Sequence, residues 1–238
     1  MNYRNPYIKF CLDDSHSVFR SLNQKDKEVI AQHHTYALYK KGELVVKEGE
    51  KPHGLICLAS GKIKVFKEGI GGREQILRMV RPNGFVGYRS VFSEGTYYAS
   101  AVAIEDSAIT IIEKDCIIKI IKKNPELGLR FMKLLSEELG FSEIRTVSLT
   151  QKHIRGRLAE SLLVLKETYG FDSDGKTLNV YLSREDIANL SNMTTSNAIR
   201  TLSNLASEEI IAIEGRKIMI LDYNRLERVS ELGLDQSL

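Results

Sequence analysis

The chain has 238 residues, 42% of them hydrophobic and 27% charged, and a formal net charge of +3. That length suits two domains of roughly 100–150 residues each, and that mixture excludes disordered, collagen-like and low-complexity classes. No apolar run approaches the roughly 18–20 residues of a membrane span. The opening MNYRNPYIKFCLDD lacks the apolar core of a signal peptide, so the expected location is the cytoplasm, with no membrane partner. Cys11, Cys57 and Cys116 are odd in number and widely spaced, which argues against a disulfide framework and a CxxC metal site. Neither a metal nor a cofactor is expected. Charge does not point to nucleic acid: from Thr150 onward 11 Lys and Arg face 13 Asp and Glu. Any such claim has to rest on local geometry.

Residues 1–35 are polar and helical in texture, with short amphipathic patches at Val18, Phe19, Leu22 and at Val29, Ile30. From Ala37 to Ile112 short β-rich runs follow one another between Gly and Asn turns: LVVKEG (44–49), GLICLASG (54–61), KIKVFKEG (62–69), EQILRMV (74–80), SAVAIED (100–106) and AITIIE (108–113). KIKVF alternates with period two, as a half-buried strand does. Many short strands with regular turns predict an antiparallel sandwich or barrel. GIGG (69–72) reads as a hairpin loop, because no GK[ST] follows to make a phosphate loop.

Asn124-Pro125 then predicts a helix start, with Asn as N-cap and Pro at the first helical position. Leu127, Phe131, Leu134, Leu135 and Leu139 recur at helical spacing toward Val147 and Leu149. A helix of about 25 residues spans about 37 Å. That is longer than one small barrel covers, so a spare apolar stripe predicts pairing with the same helix of a second copy. Ile154, Leu158, Leu162 and Leu165 form the next stripe, followed by a loop at 169–177, a short strand at 178–182, two helices and a terminal hairpin.

LSREDIANLSNMTTSNAIRTLSNLASEEIIAIEGRKIMILD (182–222) carries the most information. Ser183 with Asp186 resembles a capping box opening a helix from Arg184 to Leu190. Ser191-Asn192-Met193 is a three-residue turn in which Asn tolerates the left-handed conformation. Thr194 caps a second helix, Thr195 to Ser207, with Ala198, Leu202 and Leu205 inward and Thr195, Ser196, Asn197 and Arg200 outward near its start. A recognition helix needs that arrangement, because its N-terminal turns enter the major groove. Arg200 is suited to guanine and Asn197 to adenine. Residues 210–221 read as a two-stranded wing turning at Gly215, with Arg216 and Lys217 toward phosphates, and Arg184 lies beside the backbone.

These segments, together with IRGRLAESLLVL (154–165) and RPNGFVG (81–87), resemble the CRP/FNR family of bacterial transcription regulators over nearly the whole chain. The resemblance implies an α+β fold: an antiparallel, jelly-roll-like β-roll with N-terminal helices (1–116), a long dimerisation helix (117–151) and a C-terminal winged helix-turn-helix (152–238). It implies a homodimer on a palindromic double-stranded DNA site, RNA polymerase as a further partner, and a hinge near Leu149–His153 coupling β-roll to DNA head. In cyclic-nucleotide-binding members a Glu in the cassette after FVG holds the ribose, and an Arg-Ser pair holds the cyclic phosphate. Here Tyr88 stands at the Glu position, and Tyr98 and Ala99 at the Arg-Ser positions. A phosphate without its guanidinium loses a charge-assisted contact, so usual cyclic AMP binding is not expected. Tyr88, Arg89, Tyr97 and Tyr98 remain as a candidate pocket for an unassigned small-molecule effector, with two alternatives open: Arg89 pointing to solvent and the tyrosines merely filling space. Only Cys11 lies in the first 56 residues, so the iron–sulfur cluster of the oxygen-sensing branch is absent.

Two other classes compete. A cupin-type enzyme needs clustered His and carboxylate ligands, yet His33 and His34 are adjacent and point to opposite faces of a strand, and no GxSxG or HExxH occurs. An interaction module without DNA binding draws its support from the excess acidic charge after Thr150.

Overall fold

The computed structural model describes residues 5–232; positions 1–4 and 233–238 of the expected outer domains lie outside the described residues. In chain order the helices and strands are α1 (Pro6–Asp13), α2 (Gln24–Gln32), β1 (His34–Tyr39), β2 (Leu44–Val46), β3 (Gly54–Ser60), β4 (Ile63–Glu68), β5 (Glu74–Val80), β6 (Phe85–Val86), α3 (Tyr88–Phe92), β7 (Ser100–Ala103), β8 (Ser107–Glu113), α4 (Lys114–Lys123) and α5 (Pro125–Gln151). Then come α6 (Ile154–Tyr169), α7 (Arg184–Leu190), α8 (Thr195–Ser207), β9 (Ile211–Glu214), β10 (Lys217–Ile220) and α9 (Tyr223–Leu232). The chain divides into two compact units. One holds the residues up to Lys67 with Leu77–Gly140; the other holds Glu68–Ile76 with everything from Phe141 on.

The first unit carries the β-roll. One four-stranded sheet runs β1-β8-β3-β6 and the other β2-β7-β4-β5. The pairings of β3 and β4 are antiparallel. From Gly54 to Ala59 the run is continuously apolar because β3 is buried on both faces there. Ile56 and Leu58 join Ile63, Val65, Val86 and Ile109 in the core between the sheets. Leu55 and Cys57 face the other way, into a core with Ile8, Phe19, Phe85, Ile117 and Phe131 supplied largely by helices. The three cysteines are buried free thiols. Leu127 donates its amide to the Asn124 side chain (3.2 Å), so α5 starts as its cap and proline dictate. Its first turns bury Leu127 and Phe131, while Leu139, placed by periodicity on the same stripe, is 62% exposed.

In the second unit α6 and α9 pack together and α7 crosses α8. α9 is not among the expected elements: among its described residues the buried apolar ones are Leu226 and Val229, with Ser230 buried beside them, a pattern too sparse to announce a helix. The expected strand at 178–182 does not form. Leu178, Val180 and Leu182 are buried alternately, as in a strand, but the segment pairs only through the isolated bridge of Phe171 with Leu178, and Leu178 donates to the Ile218 carbonyl (2.9 Å). Period-two burial arises here without a ladder. Among the described residues no helix is long and apolar enough to cross a membrane.

Candidate nucleic-acid interface and effector pocket

The helix-turn-helix forms as its caps require. The Ser183 hydroxyl accepts from the Asp186 amide (2.9 Å), and the Thr194 hydroxyl accepts from the Asn197 amide (3.3 Å). Asn192 sits in the turn at φ 49°, the left-handed region that Asn tolerates. Ala198, Leu202 and Leu205 are buried behind α8, and Thr201 joins them. Thr194, Thr195, Ser196 and Arg200 are exposed in front, with Asn197 half-buried among them.

Two details refine the assignment of roles. Arg200 Nη2 donates to Asn197 Oδ1 at 2.9 Å, so the Asn side chain steadies the guanidinium, and its carbonyl is already engaged. In this arrangement Asn197 has to release Arg200 before it can grip an adenine in bidentate fashion. Ile199 is 48% exposed on the same edge. Its place beside Ser196 and Arg200 suits apolar contact with a thymine methyl group.

The wing forms from β9 and β10, paired antiparallel from Lys217–Glu214 to Ile220–Ile211, and Gly215 turns at φ 58°. Arg216 and Lys217 are exposed on it. Arg184 is half-buried, and its Nη2 donates to the Gly215 carbonyl (2.8 Å). The side chain expected beside a phosphate thus fastens the wing to α7. From behind, Arg155 on α6 grips the Glu208 carboxylate with both Nη1 (2.6 Å) and Nη2 (2.5 Å), and Arg225 donates to the Glu208 carbonyl (3.0 Å). A bidentate pair fixes direction as well as distance. The C-terminal end of α8 is therefore anchored while its N-terminal edge is open.

The cassette in the first unit is packed shut. Tyr88 is fully buried against Phe85, with ring centroids 6.0 Å apart. Burial and the neighbouring Glu138 carboxylate push its phenol well above the ordinary range. Arg78 lies over the Tyr88 ring at 5.6 Å and pairs with Glu138 of α5. Tyr97 is also buried and lies against Gly87, where an added Cβ would stand 2.3 Å from the ring. Gly87 also has φ 64°, so both space and conformation demand glycine. Between these rings and Val46, Val65 and Val86 the cavity is about 20 Å³. That volume suits about one water molecule. Tyr98 and Arg89 are exposed, and the Tyr98 hydroxyl lies 3.2 Å from Ser93 Oγ. Of the four candidate pocket residues, Tyr88 and Tyr97 are buried, while Arg89 and Tyr98 are exposed and still line that cavity, beside Arg78. Among the described residues no group of three or more His, Cys, Asp or Glu is disposed to hold a metal ion.

Residues 37–124 match the family described as cyclic nucleotide-binding domain, and residues 156–229 the Crp-like helix-turn-helix domain. The chain is 27% identical to the CRP-like cAMP-activated global transcriptional regulator of Mycobacterium tuberculosis, over 80% of this chain and 85% of that one. It is 29% identical to the anaerobic regulatory protein of Bacillus subtilis, over 90% and 87%. FixK2 of Bradyrhizobium japonicum has the same fold, with a TM-score of 0.74 at 22% identity over 82% of this chain and 96% of that chain. By these similarities the chain belongs to the CRP/FNR family of transcription regulators, with a Crp-like helix-turn-helix domain for DNA.

Proposed function

We propose that the protein is a homodimer that binds a two-fold related DNA site in a sequence-specific manner, and that its β-roll does not take cyclic AMP in the usual way. The observation that carries the DNA reading is the open edge Thr195–Arg200, backed by buried Ala198 and Leu202 and anchored behind by Arg155. Pairing through α5 is supported by its unpartnered apolar side chains: Leu129, Met132, Leu139, Ile144 and Val147 are each more than half exposed. Ser136 and Gly140, interspersed among them, are small enough to let two helices approach. RNA polymerase is the further partner that this family of regulators suggests, and the protein is expected in the cytoplasm.

The reading of the sensor rests on the cassette. Tyr88 and Tyr97 occupy the space; of the two cations that line it, Arg78 is engaged by Glu138 and the Phe85 carbonyl, and Arg89 is exposed. Relatives are named for cAMP activation in one case and anaerobic regulation in another, so a shared fold does not carry a shared signal.

Gel shifts against random and selected duplexes with a salt titration test the first part. A regulator loses affinity steeply with salt and retains a preference among sequences; an interaction module without DNA binding shows neither. Calorimetry with cyclic AMP tests the second part. The expected result is no micromolar binding, and clear binding there overturns the reading of Tyr88 and Tyr97.

A further inference from the structure

The last four carbonyls of a helix have no partner within it. In α7 these belong to Ile187, Ala188, Asn189 and Leu190. The reader's own turn serves two: Ser191 N donates to Ile187 (3.0 Å), and Met193 N donates to Ala188 (3.0 Å). The other two are served from outside the helix-turn-helix. Gln75 Nε2 of β5 donates to the Asn189 carbonyl (2.8 Å). Arg145 Nη2 of α5 donates to the Leu190 carbonyl (2.5 Å) and reaches the Ile76 carbonyl (3.4 Å). All of these residues belong to the second compact unit.

We infer that Arg145, seconded by Gln75, is a positioning residue for DNA reading, which fixes the turn of the helix-turn-helix to the last turns of α5. A cation at a helix C-terminus is favoured by the helix dipole. A single amino group, Nη2, reaches both carbonyls, and the planar guanidinium orients it in a way that an ammonium on a flexible stem does less well. Arg145 is held in a largely dry place: burial draws its pKa down, and the Glu160 carboxylate of α6 offsets that pull. Leu190 is five residues from Thr195, so a shift at this cap moves the edge that meets the bases. The inference rests on the reading above, in which α5 pairs two copies and each α8 enters a groove. Under that reading Arg145 sets the angle at which each head leaves the paired helices, and so the half-site spacing that both heads accept together.

The test uses full-length protein and duplexes in which two selected half-sites are moved apart or together one base pair at a time, with a single half-site as reference. Wild type is expected to show a sharp spacing optimum. Arg145→Ala is expected to lose about tenfold or more on the optimal two-site duplex, to flatten the spacing profile, and to stay within about twofold on the single half-site, because only simultaneous engagement is compromised. Arg145→Lys is expected to restore part of the optimum. An Arg145→Ala protein with the wild-type spacing profile overturns the inference. Should that variant fail to melt as a folded protein, Gln75→Ala decides: a broadened profile supports the inference and an unchanged one overturns it. If wild type itself binds no selected duplex, the DNA reading fails first and takes the inference with it. Binding with an Arg145-independent profile sinks the inference alone.

Discussion

In the cassette Tyr88 and Tyr97 turn inward, and their rings become part of the packing; on α8 Thr195, Ser196 and Arg200 turn outward to solvent. Both regions carry candidate recognition residues, but the consequences of changing them differ in kind. An inward change alters volume and desolvation, so it acts on stability and on what the β-roll admits. An outward change leaves the fold alone and acts only when a partner arrives. Recognition chemistry in one region can therefore change while the architecture of the other is kept.

The largest expected effect breaks the packed side of that contrast. Tyr88→Ala removes a large buried ring and is expected to cost about 3–5 kcal/mol in chemical denaturation. Tyr98→Ala, at an exposed site in the same cassette, is expected to stay within about 0.5 kcal/mol. Equal effects would mean that the cassette is not divided as described. Next in size is the open side. Arg200→Ala is expected to cost about 1–3 kcal/mol of discrimination at one base position while leaving the melting temperature unchanged. Competition gel shifts with single-base variants measure it; unaltered preference removes Arg200 from the reader. Arg216→Ala and Lys217→Ala are each expected to weaken all sequences alike and to lower the slope of log affinity against log salt by about 1.

The smallest effect concerns the support beneath the wing. Asp174 accepts from the Thr177 hydroxyl (2.5 Å) and from the amides of Lys176 (2.9 Å) and Thr177 (2.8 Å). The Thr177 hydroxyl is the largest influence, and together these donors hold the carboxyl down at about 2. A depressed carboxyl stabilises fully above its unfolded value of 3.8 and loses that contribution as pH falls toward 2. Thermal melts of wild type and Asp174→Asn should therefore differ above pH 4 and converge toward pH 2. A constant difference across that range removes the titration from Asp174.

Much of the reader was legible because its signals are local. Ser183, Asn192, Thr194 and Gly215 each act within a few residues of themselves, through caps and positive φ. The tyrosines of the cassette were legible as residues unlike those the resemblance implies, but nothing in the string distinguished Tyr97, which packs on Gly87, from Tyr98, which is exposed. β6 is two residues long and too short for any periodicity. The grip of Arg145 on Leu190 and of Gln75 on Asn189 joins side chains to backbone carbonyls 45 and 114 positions away. A carbonyl acceptor has no residue identity, so such a contact leaves no mark in sequence. Arg184 illustrates the converse: its position next to the reader suggested a phosphate contact, and the fold spends at least one of its donors on Gly215.

The open edge of α8 is tested most directly by selecting bound duplexes from a random DNA pool with the full-length protein. The account predicts enrichment of two related half-sites in inverted orientation, with centres about one helical turn, 34 Å, apart, and loss of one conserved base pair per half-site when Arg200→Ala replaces wild type. A pool that emerges without a shared motif, or a motif that Arg200→Ala leaves intact, would contradict it.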